Sequence, residues 1–254
     1  MKATILQKLA ELEKRENIKV LHAVESGSRA WGFASPDSDF DVRFIYLREP
    51  AFYLRLEKTR DVIEWMLDET FDINGWDLQK MLRLLHSSNP TLFEWASSPI
   101  VYQTTPEWEP ISRRLPEYFL SKPGVHHYLS MAEGNYRDYL KRDVVRVKKY
   151  LYVLRPILAC KWILERHSPP PMLFSELVAA EADHDLTKEI ERLLEIKINS
   201  PETYEMPRIE LLNDFIDSLL PILKSQAEAL PSVKAKGYDE LNRLFVKTLC
   251  RNMP

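Results

Sequence analysis

The sequence predicts an α/β (α+β) domain over about residues 1–105 followed by an all-α helical domain over about residues 106–254. Three observations carry this prediction. A β-rich apolar run from Ile18 to Glu25 turns through Ser26-Gly27-Ser28 and re-emerges as Asp39-Phe40-Asp41 leading into Val42-Arg43-Phe44-Ile45-Tyr46. That pattern is a strand, a small-residue turn and a second strand. The runs 61–66 and 70–74 read as two further strands joined by Leu67-Asp68-Glu69 into a hairpin. Beyond residue 105 no strand-like alternation is found, and apolar residues recur at helical spacing instead.

The elements follow in order. Ile5, Leu6, Leu9 and Leu12 place a surface helix over 4–16, which Asn17 ends before the first strand. The second strand spans 39–47, and Arg48-Glu49-Pro50 breaks it; the stretch 51–59 has no clear pattern. After the hairpin, Leu78, Met81, Leu82 and Leu85 define a helix over 76–86, terminated by Ser87-Ser88-Asn89-Pro90, and a short helix over 92–96 leads to Pro99-Ile-Val-Tyr102. Pro99, Pro106, Pro110 and Pro116 then punctuate a polar stretch, which sets the domain boundary near 105. Helices are expected over 125–141, 144–167, 174–181, 185–198, 209–230 and 238–251, with a kink at Pro156.

Composition narrows the classes. With 254 residues, 45% of them hydrophobic, the chain has enough apolar surface for a real core. The net charge of −3 argues against a general polyanion binder. The charge is nevertheless bipolar: residues 137–166 carry nine basic and three acidic residues, whereas 176–217 carry four and twelve. Cys160 and Cys250 have no Cys-x-x-Cys partner and are expected to be buried thiols. His126-His127 lacks further ligands at zinc spacing, and no Gly-x-Ser-x-Gly elbow occurs. The amphipathic start is not a signal peptide and no apolar run reaches membrane-spanning length, so a cytoplasmic location is expected.

The chemistry concentrates between the first two strands. Side chains alternate along a strand, so Asp39 and Asp41 share a face and can hold hard divalent cations, Mg²⁺ or Mn²⁺, through their oxygens. Gly27 lets the backbone turn sharply and approach a ligand, while Ser28 and the following amides present donors to phosphate oxygens. Metal on one side and phosphate on the other describe a nucleoside triphosphate site. Trp31 and Phe33 lie in the same loop, placed either to anchor it or to contact a base.

A Gly-Ser turn spaced in this way from Asp-x-Asp resembles the DNA polymerase β-like nucleotidyltransferase superfamily. The wording of residues 25–43 looks closer to one branch, the predicted nucleotidyltransferases associated with bacterial RNA-repair ligases. Further similar wording occurs at Gly75-Trp-Asp-Leu-Gln-Lys80, Asn89-Pro-Thr-Leu-Phe-Glu-Trp95, Ser98-Pro-Ile-Val-Tyr102 and Lys148 to Trp162, and fades after that. The resemblance implies a mixed-sheet nucleotidyltransferase domain with a helical domain closing the other side of the cleft. The implied activity is Mg²⁺-dependent transfer of a nucleoside monophosphate from an NTP such as ATP to an acceptor hydroxyl, with release of pyrophosphate. An RNA end is the favoured acceptor; a protein or small-molecule acceptor, or a nucleotide-binding regulator or non-catalytic interaction protein, is the alternative.

The superfamily carries a third carboxylate on a strand beside the Asp-x-Asp strand. Asp72 is the preferred candidate, because alternation puts it with Thr70 and Asn74 on the less apolar face; Glu64, Asp68 and Asp77 are the alternatives. Asp77 also fits as an acidic residue at a helix start. Arg29 and Arg43 add positive charge. Lys148, Lys149 and Arg155 fit either a phosphate-facing role or an ordinary solvated basic face.

Overall fold

The computed structural model describes residues 1–68, 70–201 and 203–251, with the side chains of 66–68 outside that set. The residue Glu69 of the expected hairpin turn, and the carboxylate of Asp68, therefore lie outside the described residues. Two compact units emerge. The first comprises Met1–Ala30, Asp39–Tyr118 and Ala235–Pro254, and the second Trp31–Ser38 and Phe119–Lys234.

The first unit is built on a five-stranded mixed sheet of order β3-β4-β2-β1-β5. Helix α1 (Lys2–Glu16) buries Ile5, Leu9 and Leu12, a stripe at the spacing of one helix face, and ends at Asn17 in the left-handed region. Strand β1 (Ile18–Glu25) follows, then the one-turn α2 (Gly27–Ala30) and β2 (Phe40–Arg48). The segment without a sequence pattern forms α3 (Pro50–Tyr53), begun by the preset φ of Pro50. Strands β3 (Val62–Asp68) and β4 (Phe71–Asp77) make the expected hairpin, and α4 (Leu78–His86), α5 (Pro90–Ala96) and β5 (Val101–Thr104) come next. Helix α6 (Trp108–Ser112) and a 3₁₀ turn, Leu115–Tyr118, complete this run, and the C-terminal helix Asp239–Arg251 belongs to the same unit.

One pairing matters most for function. β1 runs antiparallel to β2 and to β5, and β3 antiparallel to β4, but β2 and β4 are parallel. Parallel neighbours bring their beginnings together, so Asp41 and Asp72 become register partners. Burial alternates strictly along β4: Phe71, Ile73, Gly75 and Asp77 face inward while Asp72, Asn74 and Trp76 are half-buried. Asp77 is the N-cap of α4, accepting hydrogen bonds from the Gln79 amide at 2.7 Å and the Tyr53 hydroxyl at 2.8 Å. Glu64 is exposed and pairs with Arg60.

His22, in the middle of β1, is buried, stacks on Trp108 at 4.5 Å, and has its Nδ1 3.3 Å from the Thr104 hydroxyl. Burial lowers its imidazole from 6.5 to about 4. The unfolded chain therefore binds this proton more readily, and the stability His22 allows is fully present above pH 6.5 and lost as pH falls through 4. The His22→Phe variant should show a shallower fall in denaturation midpoint across this window. The difference integrates to at most about 3 kcal/mol. An unchanged slope would mean that His22 keeps its ordinary basicity in the fold.

The second unit is helical: α7 (Ser121–Tyr139), α8 (Val147–Arg166), α9 (Phe174–Glu181), α10 (His184–Ile198) and α11 (Glu210–Ala229). Its core gathers Leu129, Leu151, Leu154, Leu158, Leu193 and Ile216. Helix α8 continues through Pro156. One expectation is corrected here: the second half also contains a small antiparallel ladder, β6 (Val144–Arg146) against β7 (Glu205–Pro207). Three residues per strand are too few for alternation to show in sequence. Cys160 is buried, but Cys250 is exposed, contrary to the expectation for both.

The segment Trp31–Ser38 belongs to this second unit. Phe33 sits in the helical core with its ring 5.6 Å from Phe174, and the Trp31 carbonyl accepts a 2.9 Å hydrogen bond from the Phe174 amide. The buried Lys197 ammonium donates to the hydroxyls of Ser35 at 2.9 Å and Ser38 at 3.4 Å. Burying an ammonium is costly unless hydrogen bonds replace its water, and these serines supply them. Of the two roles open for Trp31 and Phe33, the observed contacts are those of anchors.

Candidate active site

The site is assembled where β1 ends and β2 and β4 begin. Gly27 has φ +59°, a conformation disfavoured for residues carrying a Cβ, and a Cβ there would overlap the Asp41 carboxylate. The turn is thus held against the β2 carboxylate. Two backbone-directed bonds fix it: the Ser26 amide donates to the Asp41 carbonyl at 2.8 Å, and Arg29 Nε donates to the Asp39 carbonyl at 2.9 Å. The Arg29 guanidinium lies 3.9 Å above the Phe40 ring. Ser28 is buried, and Asp39 is exposed just before β2.

Arg43 lies on the same face of β2 as Asp41. Its Nη2 donates to Asp41 Oδ1 and to Asp72 Oδ2, each at 2.7 Å, and its Nη1 reaches the Asp72 carbonyl at 3.0 Å. Two carboxylates on adjacent parallel strands therefore converge on one cationic nitrogen. Arg43, expected only to add charge, bridges them.

The donor chemistry suits a hard cation. Asp41 and Asp72 offer carboxylate oxygens converging on one point, the donor type that Mg²⁺ or Mn²⁺ takes, and Arg43 Nη2, which occupies that point, would have to give way to such a cation. Asp39 is not gathered with them: among the described residues, no group of three or more His, Cys, Asp or Glu side chains is arranged to hold a metal.

Glu25 was not singled out by the sequence. It is fully buried at the end of β1, where its Oε1 accepts the Asp41 amide at 2.8 Å and its other oxygen accepts the Tyr102 hydroxyl. The Ser98 hydroxyl donates to its carbonyl at 2.6 Å. Burial pushes the Glu25 carboxyl up to about 7, against the opposing pull of the Tyr102 hydrogen bond. The signal for it was a carboxylate closing a largely apolar strand immediately before the glycine turn.

Three of the expected cations belong to the second unit. Lys149 lies 3.6 Å from the Tyr139 ring centroid and 5.4 Å from that of Tyr152, and Lys148 precedes it on α8. Arg155 is 2% exposed; its guanidinium lies 4.6 Å from the Trp31 ring centroid and 3.4 Å from the Met172 carbonyl.

Comparison with known proteins places this geometry in context. The chain is 43% identical over 251 residues to the uncharacterized protein YcgL of Bacillus subtilis (strain 168), an alignment covering 98% of this chain and 96% of that protein. Its residues 1–247 match the RlaP family, and the chain with its turn held against paired strand carboxylates belongs to that RNA repair pathway DNA polymerase beta family.

Proposed function

We propose that this protein is a Mg²⁺- or Mn²⁺-dependent nucleotidyltransferase that moves a nucleoside monophosphate from an NTP to an acceptor hydroxyl, with an RNA end as the favoured acceptor. The observation that carries this reading is the parallel register that sets Asp41 beside Asp72, directly under the glycine turn. In the proposed reaction the acceptor oxygen bonds to the α-phosphorus, the α–β anhydride breaks, and pyrophosphate departs. The bound cation would neutralise charge on the phosphoryl oxygens as they pass through the transition state.

The chain's own residues have separate tasks in this reading. Asp41 and Asp72, which already converge, provide the oxygens that hold the cation, and Asp39, exposed just before β2, would have to turn inward to add its own. Gly27 permits the close backbone approach that the β- and γ-phosphates need, and Ser28 and Arg29 contribute donors there. In this reading Asp72 Oδ1 takes the acceptor's proton, its Oδ2 being the oxygen that accepts from Arg43. Arg43 keeps the two carboxylates converging.

That same bridge favours a second reading, a nucleotide-binding regulator in which Arg43 permanently occupies both carboxylates. Incubation with each labelled triphosphate, Mg²⁺ and a panel of RNA, DNA, protein and small-molecule acceptors separates the two. Label should appear on an RNA acceptor together with pyrophosphate; triphosphate binding without transfer to any acceptor would support the regulator. In the active case Asp72→Ala should slow transfer by about 10³-fold while changing triphosphate affinity by less than about threefold. If Glu64→Gln rather than Asp72→Ala silenced the enzyme, the third carboxylate would lie on β3 instead.

A further inference from the structure

The second unit carries a basic cavity of its own. About 200 Å³ of space opens beside the β6–β7 ladder and the first turn of α8, and its walls include Tyr139, Arg142, Arg146, Lys149 and Glu205. Three cations thus face one carboxylate. That carboxylate is already shared, since Glu205 lies 3.5 Å from Arg146 Nε. Among the described residues Arg142 makes no ion pair. Lys149 is half-buried, and its ammonium is held below its usual range by burial and by the neighbouring charges of Lys148 and Arg146.

A surplus of cations that repel one another in a partly dry cavity is relieved by an anion. The size of the cavity selects among anions. It is smaller than the roughly 300–1,000 Å³ of pockets that enclose a whole drug-sized ligand, so a complete nucleotide is not engulfed, whereas a single phosphodiester fits with its base left outside. Aromatic rings are close by: Tyr139, in the cavity wall, is 44% exposed, and Tyr152 is half-buried, with the Lys149 ammonium 3.6 Å from the first ring centroid and 5.4 Å from the second. Cations for the backbone beside ring faces for the bases form the recognition chemistry of single-stranded nucleic acid.

We infer that the cavity bounded by Tyr139, Arg142, Arg146 and Lys149 is a binding site for the phosphate backbone of single-stranded RNA. This inference rests on the reading of the protein as a transferase acting on RNA ends. Of the two roles open for Lys149, phosphate-facing or part of a solvated basic face, this assigns the first, with RNA and not the triphosphate as the phosphate. Exposed Arg142 and Arg146 contact phosphate oxygens from the rim, and Lys149 meets them from the floor.

The test is fluorescence anisotropy of a short labelled single-stranded RNA with the full chain. Arg142→Ala/Arg146→Ala should weaken binding by about tenfold or more and lower the slope of log affinity against log salt by about 1–2. Lys149→Gln should weaken binding in the same direction. Lys188→Ala/Arg192→Ala, which removes two exposed cations from α10, should change affinity by less than about twofold. An equal loss in this control would reduce the patch to general charge and overturn the inference. So would a wild-type protein that fails to bind RNA, patch variants that bind as the wild type does, or polyglutamate of matching charge displacing RNA as well as unlabelled RNA does. Calorimetry of Mg²⁺·ATP binding to the same variants keeps the two readings apart: unchanged ATP affinity with lost RNA affinity supports the site, and lost ATP affinity in the wild type undermines the transferase itself.

Discussion

Asp41→Asn is expected to reduce nucleotidyl transfer at least about a thousandfold while leaving the first unit folded, the rate loss corresponding to roughly 4 kcal/mol of transition-state stabilisation. An amide is isosteric with the carboxylate and still accepts a hydrogen bond from Arg43, so geometry is preserved and charge alone is removed. From the sequence, two carboxylates on one face repel each other, and the substitution should be neutral or slightly stabilising without metal. The structure changes that expectation, because Arg43 Nη2 already spans Asp41 and Asp72 at 2.7 Å. Turning one partly exposed, charge-assisted bond into a neutral-acceptor bond should cost about 1 kcal/mol, lowering the metal-free melting temperature by only about 2–4 °C. Asp39→Asn should leave metal-free stability unchanged, since its side chain is exposed and its carbonyl holds Arg29. A melting temperature lowered by tens of degrees in either variant would make these carboxylates structural and remove them from the site.

The features that were legible in sequence are those written in local periodicity. β1 spans Ile18–Glu25, the run that its apolar residues mark, and α4 buries the four residues its spacing selects. The strand–turn–strand pattern and the loss of alternation beyond it are enough to give an α/β unit and a helical one. Register is another matter. That β2 and β4 are parallel, and that Asp41 therefore meets Asp72, depends on how the hairpin folds back beside β2, which alternation within either strand does not specify. Arg43 was read as added charge because a bridge requires both neighbours to be known. Glu25 was passed over because a strand-ending carboxylate normally faces water, and its burial depends on partners from other strands, the Asp41 amide of β2 and the Tyr102 hydroxyl of β5. Trp31 and Phe33 lie between the glycine turn and Asp39 in the chain, yet they pack in the helical unit. Sequence adjacency to the site left anchoring and base contact both open, and the observed contacts, with Phe174 and Tyr152, are those of anchors.

Gly27→Val should abolish triphosphate binding and also destabilise the first unit, and the second effect is a consequence that the sequence alone did not reveal. The residue sits at φ +59°, where a side chain costs about 1–2 kcal/mol from backbone strain alone. A Cβ would overlap Asp41, and the branched methyl groups of valine would push further into the carboxylate. Either the turn lifts away from β2, breaking the bond from the Ser26 amide to the Asp41 carbonyl, or Asp41 rotates and releases Arg43. Both outcomes separate the turn proposed to bind phosphate from the carboxylate proposed to bind metal, so Mg²⁺·ATP affinity should fall by at least about a hundredfold, close to 3 kcal/mol. Gly134→Ala supplies the contrast. Gly134 lies inside α7 with nothing within 4 Å of an added Cβ, and alanine there should stabilise the helix by about 0.5–1 kcal/mol. Calorimetry that finds full ATP affinity in Gly27→Val would show that the phosphates bind elsewhere, whatever happens to its melting temperature. Retained stability with lost affinity would show that Asp41 yields to the new side chain without disturbing the sheet, which keeps the turn in the site.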